Sequence, residues 1–81
     1  MRLDKFLKVS RLIKRRTVAA DVCDSARVFV NNNPAKAAKQ LKIGDVISIE
    51  YKNMIKTYRV LQIPVGNVSV NMASKLYEEI N

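Results

Sequence analysis

Apolar residues along the chain change period twice. Leu3, Phe6 and Leu7 fall at i, i+3 and i+4, while Arg2, Lys5 and Lys8 step by three along roughly the opposite side. That pattern predicts an amphipathic helix over residues 3–12 with a basic outer face. A second helix is predicted over residues 17–26. Thr17 is placed as its N-cap. Val18, Val22 and Ala26 repeat every four residues there, and Ala19 and Cys23 widen the stripe. At Arg27 the period becomes two: Val28 and Val30 alternate with Arg27 and Phe29, a short strand. Asn31-Asn32-Asn33-Pro34 reads as a turn cluster, in which Pro34 drives Asn33 toward extended backbone. Lys42-Ile43-Gly44-Asp45 reads as a second turn. Ile47, Ile49 and Tyr51 then alternate with Ser48, Glu50 and Lys52, which predicts a half-buried strand, and Thr57–Ile63 predicts another. The link over Lys52-Asn53-Met54-Ile55 is short enough for a hairpin. Met72, Leu76 and Ile80, four apart, predict a short C-terminal helix. The fold class expected is α+β: two N-terminal helices packed on a small, mostly antiparallel sheet.

Eighty-one residues allow one compact core, and a 48% hydrophobic composition argues against disorder. Charge changes the picture more. Fifteen Lys and Arg face seven Asp and Glu, a net +8. Residues 1–20 alone carry Arg2, Lys5, Lys8, Arg11, Lys14, Arg15 and Arg16 against Asp4, so +6 of that excess sits at the N-terminal end. A concentration of this kind points to a polyanionic partner. No apolar run reaches the length of a bilayer span, and charges recur through the first residues where a secretory leader would be apolar. A cytoplasmic location and no membrane partner are expected. The chain has no His and a single Cys, Cys23, so no internal disulfide forms, and neither a metal site nor a cofactor is expected.

Catalysis is the weakest reading. Nucleophilic chemistry needs a base beside the nucleophile, and without His only carboxylates and lysines remain. Asp21 and Asp24 lie three apart on the second predicted helix and read as a solvated pair. Asp45 reads as a turn residue, and Cys23 as a packing thiol on an apolar stripe. Gly44 and Gly66, the only glycines, are too far apart for a phosphate loop. The basic segment is the strong signal. Its bland alternatives are a solvated face or a helix lying on anionic lipid, but the stripe of Leu3, Phe6 and Leu7 is narrow and a small domain needs it for its core. Nucleic acid remains, and RNA before DNA. The second helix offers mainly Ala, Val, Asp and Ser, poor material for reading bases. Lys14, Arg15 and Arg16 instead cluster at the interhelical joint, where cations and free helix N–H groups grip phosphates. No stacking platform is evident, since Phe6 lies on the apolar stripe and Tyr51 and Tyr58 on strands.

Several separated strings share one further feature. Met1-Arg2-Leu3-Asp4-Lys5-Phe6-Leu7 is followed by Ser10-Arg11-Leu12, by Lys14-Arg15-Arg16-Thr17, by Val28-Phe29-Val30-Asn31, by Lys36 and by Gly44-Asp45. Together they resemble the S4-type RNA-binding domain over residues 1–63, leaving residues 64–81 as a C-terminal extension packed on the same domain. The resemblance implies the S4-like fold with its αL motif. The compact form, ending in Tyr77-Glu78-Glu79-Ile80-Asn81 rather than a long basic tail, is most similar to the ribosome-associated quality-control branch, and is related to small heat-shock-induced ribosome-binding members. Resemblance to that branch implies binding to large-subunit ribosomal RNA and to peptidyl-tRNA. It also implies RqcH as functional partner in adding a C-terminal alanine tail to stalled chains. By the same resemblance, Arg2, Lys5, Lys8, Arg11, Arg15 and Arg16 match the family's RNA-contacting positions, with Lys14 and Lys36 beside them. Ala26 and Asn32 stand where the family commonly has Gly. Asn32 accepts positive φ readily, whereas Ala26 in a left-handed cap costs about 1 kcal/mol, so the second helix is expected to end differently.

The reading is therefore a monomeric, non-catalytic RNA-binding factor. Two alternatives stay open: a ribosome-assembly or general ribosomal RNA-binding factor, and a targeting module acting with an enzyme in trans. An exposed apolar patch beside the C-terminal helix would favour the second.

Overall fold

A computed structural model describes residues 1–80; residue 81 of the C-terminal extension lies outside the described residues. The order is α1 (Leu3–Val9), α2 (Arg16–Asp24), β1 (Val28–Val30), β2 (Asn33–Pro34), β3 (Val46–Tyr51), β4 (Met54–Val60), α3 (Val70–Ala73) and β5 (Tyr77–Ile80). The five strands form one antiparallel sheet in the order β2-β1-β3-β4-β5. Both long helices pack on one face of it. Leu3, Phe6 and Leu7 of α1 and Ala19 and Cys23 of α2 form one buried cluster with Val28, Val30, Ile47, Ile49, Tyr58 and Val60 of the sheet. The α+β architecture expected from the periodicities is the one found.

The turns explain why separated pieces of sequence belong together. Val30 pairs with Asn33, so Asn31 and Asn32 are a two-residue loop, with φ of 53° and 69°. Positive φ at both positions matches the twist of a hairpin, and Asn tolerates it. The same Asn31 accepts from the Val46 N–H (3.0 Å) and donates to Asp45 Oδ1 (3.1 Å). Asp45 Oδ2 in turn accepts from the Lys42 N–H (2.9 Å). The Asn turn and the Gly44-Asp45 turn are thus hydrogen-bonded to each other, and they set the β1–β3 register.

Four expectations need correction. First, the helices are shorter than predicted, and Thr17 is not a cap. Arg15 is the N-cap of α2 and makes no side-chain cap bond. The start is instead fixed by burial of Ala19 and Cys23. Val18, assigned to the apolar stripe, is 45% exposed. Second, Ala26 does take the left-handed conformation (φ 65°), its N–H donating to the Cys23 carbonyl at 3.2 Å, so α2 ends as if a glycine stood there. Third, the β3–β4 hairpin turns on Lys52 and Asn53 alone, and β4 begins at Met54 and stops at Val60. Fourth, the Met72–Leu76–Ile80 repeat is not one helix. The C-terminal helix, α3, has four residues, and i to i−3 bonds (Lys75 N–H to the Met72 carbonyl, Leu76 N–H to Ala73) tighten its end. The Leu76 carbonyl then accepts from Leu61 N–H at 2.8 Å, and the chain continues as β5 against β4. Leu76 is fully buried, and the Tyr58 and Tyr77 rings meet edge to face at 5.4 Å. The extension is therefore built into the same sheet.

Candidate nucleic-acid interface

α1 has its buried face against the sheet, which leaves Lys5 and Lys8 outward. The helix ends at Ser10, whose hydroxyl donates to the Leu7 carbonyl (3.3 Å). Arg11 follows with φ 63°, a left-handed residue that is neither Gly nor Asn. Such a conformation costs about 1 kcal/mol or more. It turns the chain sharply enough for the Ile13 N–H to reach back to the Leu7 carbonyl (3.0 Å). The joint carries Lys14 and Arg15 into α2, whose first residue is Arg16.

The result is an open groove of about 800 Å³ lined by Lys5, Lys8, Val9, Arg11, Lys14 and Arg16, with Gly66, Asn67 and Val68. Five of the eight cations singled out from the sequence converge there. The other three do not line it. Arg2 is the N-cap residue of α1, Arg15 is the exposed N-cap residue of α2, and Lys36 is exposed on the loop after β2. That loop docks on the helices: the Lys39 and Ala37 carbonyls accept from the Leu3 and Asp4 N–H groups, and the Ala37 N–H donates to Asp24 Oδ1 at 3.2 Å. Asp24 therefore ties this loop to α2, while Asp21 is solvated.

Asp4 is the residue that sequence reasoning undervalued. It is buried, and it accepts from the Lys5 N–H (2.8 Å), from Arg2 Nε and Nη2 (3.2 and 3.4 Å) and from Arg16 Nε (3.4 Å). Burial alone would raise its carboxyl. The Lys5 N–H bond and the Arg16 and Arg2 charges outweigh that and hold it below the ordinary value. One carboxylate thus fixes two guanidiniums from different helices, each still about half exposed and able to meet a phosphate. A lone acid within an otherwise basic helix was the available signal, and it read only as a charge offset. Gly66, Asn67 and Val68 had no local signal at all; only the return of the chain past β4 brings them to α1. Cys23 is fully buried, and burial, with Asp4 and Asp24 nearby, pushes its thiol up to about 11. It is a packing residue. No group of three or more His, Cys, Asp or Glu among the described residues could hold a metal.

The family model described as "S4 domain" matches residues 1–47. The chain belongs to the S4-domain family. Within it, the "RQC P-site tRNA stabilizing factor" of Halalkalibacterium halodurans is 49% identical over 78 residues, covering 96% of this chain and 88% of the relative. That of Bacillus subtilis is 49% identical over 63 residues, 78% of this chain and 73% of the relative. Among solved structures, that titled trimeric heat shock protein 15 of Vibrio cholerae superposes with a TM-score of 0.87 at 30% identity, covering 99% of this chain and 81% of that one. The S4 match spans the cations from Arg2 to Lys36 and both turns; β4, α3 and β5 lie beyond it. The S4 domain and the names of these relatives together point to a non-catalytic RNA-binding factor. Among the described residues, no helix is long and apolar enough to cross a membrane.

Proposed function

We propose that this chain is a non-catalytic factor that binds the large ribosomal subunit, contacting ribosomal RNA and peptidyl-tRNA together. It stabilises the tRNA during ribosome-associated quality control while stalled chains receive a C-terminal alanine tail, with RqcH as functional partner. The observation that carries the reading is the convergence of Lys5, Lys8, Arg11, Lys14 and Arg16 on one groove, with Arg2 and Arg15 close by in the chain. The names of the relatives support the tRNA and the quality-control setting. The mechanism is electrostatic. Held cations replace the counterions of phosphates, and the entropy of ion release drives binding. The protein acts in the cytoplasm as a monomer. The eight cations Arg2, Lys5, Lys8, Arg11, Lys14, Arg15, Arg16 and Lys36 are the proposed contacts.

The test is binding to purified large subunits, with and without peptidyl-tRNA, over a salt series. Eight phosphate contacts give a slope of log affinity against log salt of about −6 to −7, at roughly 0.7–0.9 per contact, of which the five groove cations supply about −4. The tRNA strengthens binding if the reading holds. Binding indifferent to the tRNA would move the function to ribosome assembly or general ribosomal RNA binding.

One observation favours a second reading, docking of an enzyme in trans. Val65, Val70 and Met72, in and before α3, are 98%, 63% and 46% exposed, so the surface beside the C-terminal helix is not fully polar. Replacing Val70 and Met72 with Ser leaves RNA binding unchanged on the main reading, and loss of a co-purifying protein partner would mark the second.

A further inference from the structure

The groove has two unlike walls. The helical wall is cationic, whereas the wall from the C-terminal segment is Gly66-Asn67-Val68 and carries no charge. Phosphate gripping alone does not explain why an uncharged polar residue should face five cations. Val68 is partly buried against the core and anchors this wall, and Gly66 makes the turn with φ 83°. Asn67 is exposed between them, and its side-chain amide makes no hydrogen bond among the described residues. An amide offers two donors and one acceptor without a charge. Its N–H groups can meet a phosphate or a sugar oxygen, but its carbonyl oxygen needs a donor, which a sugar hydroxyl or a base edge offers and an ionised phosphate does not.

We propose that Asn67 is a specificity-determining residue of the groove: it hydrogen-bonds the ribose 2′-hydroxyl of a nucleotide whose phosphates rest on the helical wall. The inference rests on the groove being the RNA site. The 2′-hydroxyl is both donor and acceptor and is the group that separates RNA from DNA at one position. The cations bind either polymer; Asn67 makes the groove prefer RNA. The residue lies beyond residue 47, so this discrimination is supplied by the C-terminal segment and not by the part that matches the S4 model.

The experiment compares an RNA stem-loop with the DNA stem-loop of the same sequence, over a salt series, for the unaltered chain, Asn67→Ala and Lys8→Ala. Asn67→Ala lowers RNA affinity about threefold to tenfold, the range of one hydrogen bond. It lowers the RNA-to-DNA ratio by the same factor and leaves the salt slope unchanged. Lys8→Ala reduces the slope by about one unit for both polymers. An unchanged RNA-to-DNA ratio in Asn67→Ala overturns the inference. An unchanged slope in Lys8→Ala overturns the groove as the RNA site. Because Asn67 is exposed, thermal melts of the variant and the unaltered chain coincide.

Discussion

Replacing Asp4 with Asn separates charge counting from charge positioning, because the two give opposite signs. The substitution keeps the shape and removes one negative charge from a chain of net +8. If the excess of cations were all that mattered, RNA would bind more tightly. On the structure, Asn cannot serve Arg2, Arg16 and the Lys5 N–H together, so the two guanidiniums lose their common anchor and RNA binds more weakly. The stability cost follows from the same contacts. Both arginines are about half exposed, so each pair is screened by water and contributes well under 1 kcal/mol, and the bond from Lys5 N–H to a charged acceptor adds about 1 kcal/mol more. A total of about 1–2 kcal/mol lowers Tm by roughly 5–15 °C in a domain of this size. The pH dependence gives a second check. The folded carboxyl titrates below its ordinary 3.8. Its stabilisation is therefore complete above that value and is lost as pH falls through the folded one. Circular-dichroism melts at pH 7 show the full deficit of Asp4→Asn relative to the unaltered chain. The deficit shrinks on acidification and vanishes once Asp4 is protonated. A deficit of equal size at pH 2.5, or tighter RNA binding at pH 7, refutes the positioning account.

Three further outcomes are expected. Ala26→Gly relieves a left-handed alanine outside the groove; it raises Tm by several degrees, from about 1 kcal/mol or less, and leaves RNA affinity unchanged, as melts and a binding titration will show. Arg16→Ala weakens RNA binding and Lys75→Ala does not, since only Arg16 lines the groove; equal losses in a filter-binding assay contradict a localised site. Cys23, with its thiol raised to about 11 and no exposure, reacts with iodoacetamide at pH 8 only as fast as the domain opens; labelling at the rate of a free thiol in the folded protein contradicts its packing role.

The parts of the fold that were legible in the sequence are those where burial follows one period. Leu3, Phe6 and Leu7 announce α1, and Val28, Val30, Ile47 and Ile49 announce the centre of the sheet. In each case one face is buried and the other is exposed or only partly buried. The C-terminal segment misleads because Met72, Leu76 and Ile80 are apolar for different reasons. Met72 is half exposed, Leu76 fills the core and Ile80 sits on an edge strand whose Glu78 and Glu79 face water. No local rule reveals that β4 captures this chain through the Leu76 carbonyl. The site divides in the same way. The five cations that line the groove are local in sequence and stood out there; the second wall arrives from 50 residues further along and did not.

The placement of the cations also follows from what holds α1. Seven residues are too few for an independent helix in water, where about 12–15 are needed even for favourable sequences. α1 exists because Leu3, Phe6 and Leu7 are buried and because the 37–39 loop takes its first N–H groups. The backbone that carries Lys5 and Lys8 is therefore ordered by folding alone. Binding then spends little on arranging the backbone beneath them, which raises affinity without adding a contact. Arg11 makes the same point from the opposite side. Its left-handed backbone is a cost that a glycine would avoid, yet a glycine would carry no guanidinium. A strained residue stands at the joint where its side chain lines the groove, so on the proposed reading stability is given up at the position where charge is needed.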